Sequence, residues 1–332
     1  MRVILIGNFA YVIVFSVGAA VTLFLTPKIA KSMRDRGIVG VDVHKRDKPE
    51  IPEMCGISII AGLTISVLIA SIFSSFMNEF FSFLTVTLFA GLIGYLDDKG
   101  RLGPRVKPLL TALAGLPILI LGTYDPYPVL PIIGRTRLTI IYPLLVPVAI
   151  AVTSNAVNMM DPLNGIMTGS GSIVTLTLLV SSCLLGRGDA TFLCVGLLGC
   201  LLAFYYYNRY PSRVFSGNIG SLAVGAAIGA IVVIGRLEAI GVIALIPHIM
   251  NAFYGLASVG HFFERKEIAS RPIKILKDGR LAASTGLDAP ITLTRTILVD
   301  GPKREKDVVN IFFLLTSFSS LLALITTLIM VM

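Results

Sequence analysis

Ten apolar stretches, nearly free of charge, limit what this chain can fold into more than any other feature. They are drawn at about 3–26, 57–77, 80–96, 108–122, 138–154, 165–185, 190–207, 217–235, 238–258 and 308–331, and each approaches the roughly 17–25 residues that cross a bilayer as a helix. Inside lipid a helix satisfies its own backbone hydrogen bonds. The expected fold class is therefore an all-α polytopic membrane protein: one membrane domain over 1–332 with about ten transmembrane helices. Composition agrees, since charged residues make up 14% of the chain and mean hydropathy is +0.85, whereas soluble domains carry roughly 25% charge.

The basic residues give an orientation. One set of loops holds Lys28, Lys31, Arg34, Arg36, Lys45, Arg46 and Lys48, then Lys99, Arg101, Arg105 and Lys107, then Arg209 and Arg213, then the Lys and Arg of 264–306. The opposite set holds only Arg2, Arg135, Arg137, Arg187 and Arg236, so the first set is expected to be cytoplasmic and both termini to face out. A net charge of +9 is explained by this bias and does not call for nucleic acid, although basic loops can still draw anionic lipid or a phosphorylated ligand. Cys55, Cys183, Cys194 and Cys200 show neither CxxC nor Cys/His spacing and read as small packing residues. The first span is longer than a signal-peptide core, with its positive cluster behind it, and is expected to be retained.

Between the spans, Tyr124–Pro143 carries Pro126, Pro128 and Pro131, then Val129–Ile133 and Leu138–Ile141 around Gly134-Arg135-Thr136, which predicts a small extracytoplasmic hairpin. The largest cytoplasmic stretch, about 259–307, is expected to be an ordered loop before the last helix. Its segment Ile291–Ile297 alternates with the period of a strand before breaking at Gly301-Pro302.

The clusters able to do chemistry all fall on the side assigned as cytoplasmic. They are Asp42 with Lys45 and Lys48; Asp97-Asp98 followed by Lys99, Arg101, Arg105 and Lys107; Asn155, Asn158, Asp161 and Asn164; Gly217-Asn218-Ile219-Gly220-Ser221; and His261 through Arg271. Amides and carboxylates beside hydrocarbon are costly unless they bind something. Asp97-Asp98 suits Mg²⁺ or a phosphate, but equally a solvated helix end. Asn155, Asn158, Asp161 and Asn164 recur every three residues, so on a helix they would form one oxygen-rich strip fit for Mg²⁺; the competing reading is capping around Pro162 and Gly165. Gly217–Ser221 at a helix start fits an anion, or only close helix packing.

In order and spacing these clusters resemble the polyprenyl-phosphate N-acetylhexosamine-1-phosphate transferase family over nearly the whole chain. The matching elements are Asp97-Asp98 with Lys107, an NAxN followed by NG at Asn155 to Gly165, and a G-D-x-G-S type element at Gly217 to Ser221. The stretch from His261 to Arg271-Pro272, the segment from Leu293 to Pro302 and the absence of a histidine-rich motif are similar to the dolichyl-phosphate branch that uses UDP-N-acetylglucosamine. The resemblance implies transfer of N-acetylglucosamine-1-phosphate onto dolichyl or another polyprenyl phosphate at a cytoplasmic site. It implies Mg²⁺ as cofactor, with Mn²⁺ as an alternative, and the plasma membrane of an archaeon or otherwise the endoplasmic reticulum; a homodimer is compatible. It gives Asp97, Asp98 and Lys107 catalytic roles, metal binding to Asn158 and Asn218, and substrate contacts to Asn155, Asp161, Asn164, His261, Arg265 and Arg271. One departure stands out: Asn218 takes the place of an Asp that the family uses for the metal. A neutral amide holds a hard dication less tightly.

A phosphate monoester has a second pKa near ~6, so the lipid acceptor is already dianionic at neutral pH and needs no strong base. A secondary transporter is the main rival, but such sites lie near the midplane between repeats, and here no repeat is evident and the spans are almost free of charge. A catalytically impaired homologue is the other.

Overall fold

The computed structural model describes residues 2–259, 270–286 and 288–332. In chain order the elements are α1 (Arg2–Asp35), β1 (Val39–Val41), β2 (Glu50–Pro52), α2 (Ile57–Phe73), α3 (Met77–Asp98), α4 (Val106–Leu113), α5 (Leu116–Ile120), β3 (Val129–Leu130), β4 (Gly134–Arg135), α6 (Ile141–Met159), α7 (Ile166–Leu184), α8 (Gly188–Asn208), α9 (Gly217–Ile234), α10 (Glu238–Ala244), α11 (Ile246–Val259), β5 (Ile273–Ile275), β6 (Leu281–Ala283), α12 (Leu293–Ile297) and α13 (Glu305–Val331). All ten apolar stretches are helical. Among the described residues, seven helices are long and apolar enough to cross a membrane, and the pair α10 and α11, bent by 64°, makes an eighth if it is one span. The remaining two stretches, α2 with 17 residues and the broken pair α4 and α5, are shorter, so ten crossings is an expectation that helix length alone does not reach.

α9 is the axis of the bundle. Its residues from Ile219 to Ile234 are all buried, as expected for a helix that is apolar on every side, and it packs against α3 and α6. Small residues make this approach possible: a methyl on Gly225 would lie 2.6 Å from the Thr153 carbonyl oxygen, and one on Gly94 would lie 2.5 Å from Ile219 Cα. α1 lies against α8 and α2, and α13 against α7 and α10. The bend between α10 and α11 falls at Leu245, two residues before Pro247, whose ring cannot follow the carbonyl of Ile243; that carbonyl instead accepts from the Ser319 hydroxyl of α13.

The hairpins are smaller than the sequence pattern implied. β3 pairs with β4 at 134–135, not with 138–141, because the chain turns at Ile132 (φ 68°) and α6 begins at Ile141. The strand expected over 291–297 does not form, and 293–297 is helical instead: the Thr292 hydroxyl caps α12 by accepting from the Arg295 N–H at 3.1 Å, which favours a helical turn over the alternation. The loop before the last helix is ordered where described, with β5 paired to β6. A separate apolar cluster joins it to the rest: Met160, Leu163 and Ile166 pack with Ile273, Leu281 and Phe312. All four cysteines are free; three are buried and Cys183 is exposed.

Candidate active site

Asp97 and Asp98 close α3, and their side chains do different work. Asp97 Oδ2 accepts from the Lys107 ammonium of α4 at 2.7 Å. Asp98 turns the other way, to the start of α9, where Oδ1 accepts from the Asn218 N–H at 2.8 Å and Oδ2 from the Ile219 N–H at 3.0 Å. Asp98 therefore caps α9 from another helix, placing its charge at the positive end of the helix dipole. Gly217 is left-handed (φ 68°), and a methyl there would lie 2.8 Å from Asp98 Oδ2, so glycine is what lets the carboxylate reach the helix end.

The amide-rich motif meets the same helix end from the opposite side. The Asn158 side-chain oxygen accepts from the Ser221 hydroxyl at 2.6 Å, and Asp161 Oδ2 accepts from the Ser216 hydroxyl at 2.6 Å. Asn218 lies between Ser216 and Ser221, half-buried. The even strip expected from the three-residue spacing does not form, because α6 stops at Met159 and the chain turns through Asp161–Asn164 into Gly165 (φ 79°). Asn155 instead donates to the Thr111 hydroxyl of α4 at 2.8 Å and to the Ala151 carbonyl, a tie between helices. Asn164 points to the first loop, donating to Asp42 Oδ2 at 3.0 Å, while its N–H donates to Glu305 Oε1 at 3.0 Å.

Asp42 is buried and ion-paired with Lys45, which also lies 3.8 Å from Glu305. Burial alone would raise the Asp42 pKa; bonds from Lys45, Asn164 and the His44 N–H outweigh it and hold the carboxyl below the ordinary range. Beside this group a cleft of about 340 Å³ opens between His44, Lys45, Arg46, Tyr210, Arg280 and Arg304. Arg271 is exposed just ahead of β5 and enters none of the bonds that join the motifs, while His261 and Arg265 lie outside the described residues.

Four clusters that are distant in sequence thus meet at one end of the bundle: Asp97-Asp98, Asn158 to Asn164, Ser216 to Ser221, and Asp42. That end of the bundle carries two ion-paired lysines, Lys45 and Lys107, and several carboxylate and amide oxygens. Glu305 and Asn251 belong to this region and were not among the residues singled out from sequence. Each had a signal: an acid opening the last apolar run, and a lone amide within an apolar run, both costly unless bonded.

Comparison with known proteins follows the same motifs. The signature of glycosyl transferase family 4 spans residues 80–236, from α3 through the end of α9. A phospho-N-acetylmuramoyl-pentapeptide-transferase of Shouchella clausii is 31% identical over 251 residues, covering 69% of this chain and 75% of that protein. The chain belongs to glycosyl transferase family 4. Similarity to archaeal members extends further: a Saccharolobus solfataricus protein named "Putative UDP-N-acetylglucosamine--dolichyl-phosphate N-acetylglucosaminephosphotransferase" is 29% identical over 315 residues, 92% of this chain and 93% of its own. A Methanocaldococcus jannaschii protein named "Putative glycosyltransferase" is 28% identical over 329 residues, 98% of both.

Proposed function

We propose that the chain transfers N-acetylglucosamine-1-phosphate from UDP-N-acetylglucosamine to dolichyl or another polyprenyl phosphate at the cytoplasmic face of an archaeal plasma membrane. A lipid phosphate oxygen attacks the phosphorus bearing the sugar; the bond from that phosphorus to the bridging oxygen breaks, and UMP departs with the oxygen. The observation that carries this reading is the convergence of four polar clusters on the N-terminus of α9, at one end of an otherwise apolar bundle. The coverage of the archaeal relative named for this substrate pair, 92% of this chain against 69% for the phospho-N-acetylmuramoyl-pentapeptide-transferase, supports the choice.

Lys107, held by Asp97, is placed to take a phosphate oxygen, and Asp97 then orients that ammonium. Asn158 and Asp161 shape the wall opposite α3. His261, Arg265 and Arg271 remain the proposed donor contacts. Among the described residues no group of three Asp, Glu, His or Cys side chains is placed to hold a metal ion, and Asp98 is committed to main-chain N–H groups, so a preassembled metal cage does not fit. A Mg²⁺ ion that keeps most of its shell in water and phosphate would be held by the amide oxygens of Asn158, which now accepts from Ser221, and Asn218. When bound it would offset charge on the pyrophosphate and on the departing UMP.

The test is extraction of labelled sugar into organic solvent from the purified chain with dolichyl phosphate, Mg²⁺ and a panel of UDP-sugars, Asp97→Ala serving as control. Product with UDP-N-acetylglucosamine alone supports the proposal; no product above the control with any sugar removes it. Asn218 favours one second reading, a homologue that binds but does not turn over, and UDP-sugar binding without product would establish it.

A further inference from the structure

Asn251 sits on α11, past the bend, and is 4% exposed. Its amide is used at both ends. Nδ2 donates to the Met159 carbonyl at 3.1 Å, in the residue after Asn158 at the close of α6. Oδ1 accepts from the Leu293 N–H at 3.0 Å, at the first residue of α12 in the loop before the last helix. A buried amide that lost either partner would leave an unpaired polar group in a dry setting, so both contacts act to hold the geometry.

The far end of the same loop is tied to the same motif by a different route. Glu305, 5% exposed, opens α13 and accepts from the Asn164 N–H, six residues beyond Asn158. Between the two ties, Leu298 joins the apolar cluster of Met160 and Leu163, which Leu281 of β6 also enters. The segment 293–305 is thus latched to the Asn158–Asn164 turn at its beginning and at its end. A shift of either one must be followed by the other or must break a buried bond.

We propose that Asn251 is a positioning residue: it makes the end of α6 and the segment 291–298 a single unit, so that a ligand held at the motif also restrains that segment. The proposal rests on the function given above and concerns this chain's own coupling, whichever UDP-sugar is used. Asn251 itself touches neither substrate in this account.

Two measurements on the full chain test it. Hydrogen exchange of the wild-type protein with UDP and Mg²⁺ should slow in the segment 291–298 together with 155–163, and in Asn251→Ala only 155–163 should respond. In steady state, Asn251→Ala should raise the donor KM by about tenfold or more with the lipid-phosphate KM unchanged, the size expected for losing one buried polar contact to each element. Asn251→Asp keeps the acceptor for Leu293 but turns a carboxylate oxygen toward the Met159 carbonyl, so it should raise the donor KM at least as much as Asn251→Ala. A purely structural residue would lower thermal stability without splitting the two KM values. UDP protection of 155–163 with no effect at 291–298 in the wild type overturns the coupling even if the variants fail to fold, and so do variants with an unchanged donor KM. A wild-type chain that neither binds UDP nor forms product overturns the proposed function as well; normal turnover with either negative result overturns this inference alone.

Discussion

Truncating Asp98 to alanine should disturb α9 more than it disturbs the chemistry beside it. The change removes the acceptor for two main-chain N–H groups, those of Asn218 at 2.8 Å and Ile219 at 3.0 Å. Ile219 is buried, and Gly217 packs against Asp98 and Met54, so water is poorly placed to replace the carboxylate. Each buried donor left unpaired costs about 1–3 kcal/mol, giving about 2–6 kcal/mol for Asp98→Ala. That exceeds the ~0.5–2 kcal/mol usual for an N-cap. Asp98→Asn keeps one acceptor oxygen but turns an NH₂ toward the second N–H, so about half the loss is expected, plus ~0.3–1 kcal/mol for the charge removed from the helix end. The assay is the unfolding midpoint of the purified chain in one detergent, with hydrogen exchange read over 216–222, against Asp97→Asn as a neighbour that holds Lys107 instead. An Asp98→Ala protein with a wild-type midpoint and unchanged exchange at 218–219, but no product, would refute the capping role and return Asp98 to the substrate.

Gly94→Ala should unfold the bundle or separate α3 from α9, because the new methyl would meet Ile219 Cα at 2.5 Å and backbone cannot yield as a side chain does; a loss of about 3 kcal/mol or more in unfolding free energy is expected. Asn218→Asp places a second carboxylate beside Asp98, so without Mg²⁺ it should lower the unfolding midpoint, while the Mg²⁺ concentration for half-maximal rate should fall; an unmoved half-maximal concentration excludes Asn218 as a ligand. Asp42 is held below the ordinary carboxylate range in the folded chain, so its stabilisation is complete above that range and is lost as pH falls through the depressed value. Wild type and Asp42→Asn should therefore run parallel from about pH 8 to 5 and converge below about pH 4, as read by unfolding midpoints. A double-mutant cycle on Asp97→Asn and Lys107→Met should give a coupling energy of about 0.5–3 kcal/mol, since the pair is mostly buried; independent effects would mean that the two do not act together.

The apolar periodicity and the polar interruptions were legible because the two are set by different solvents. Lipid demands long uncharged runs, and every one of them is helical here. The motif residues were legible because amides and acids at such run ends are expensive to leave unpaired. Their partners were not. Nothing in Leu96-Asp97-Asp98 tells that one carboxylate takes a lysine ten residues on and the other takes backbone 120 residues away. Spacing also misled where the helix stopped: four residues at intervals of three share a face only while the helix continues, and α6 ends at Met159, so Asn164 turns to Asp42, while Asn155, still on the helix, ties to Thr111 of α4. Local capping by Thr292 likewise overrode the alternation of 291–297.

The glycines at the start of α9 show why two readings of one motif need not compete. Gly220 packs with the chain just before α2, where an added methyl would lie 2.9 Å from Gly56 Cα, so this position serves close packing. Gly217 serves conformation, taking a left-handed turn that lets Asp98 reach the free N–H groups of the helix. Once Asp98 has occupied those donors, the helix end is no longer open to a phosphate, and an anion arriving there would meet a carboxylate. The phosphate-binding reading of Gly217–Ser221 therefore gives way to the packing one: the glycines bring α3 and α9 close enough for the Asp98 carboxylate to cap the helix.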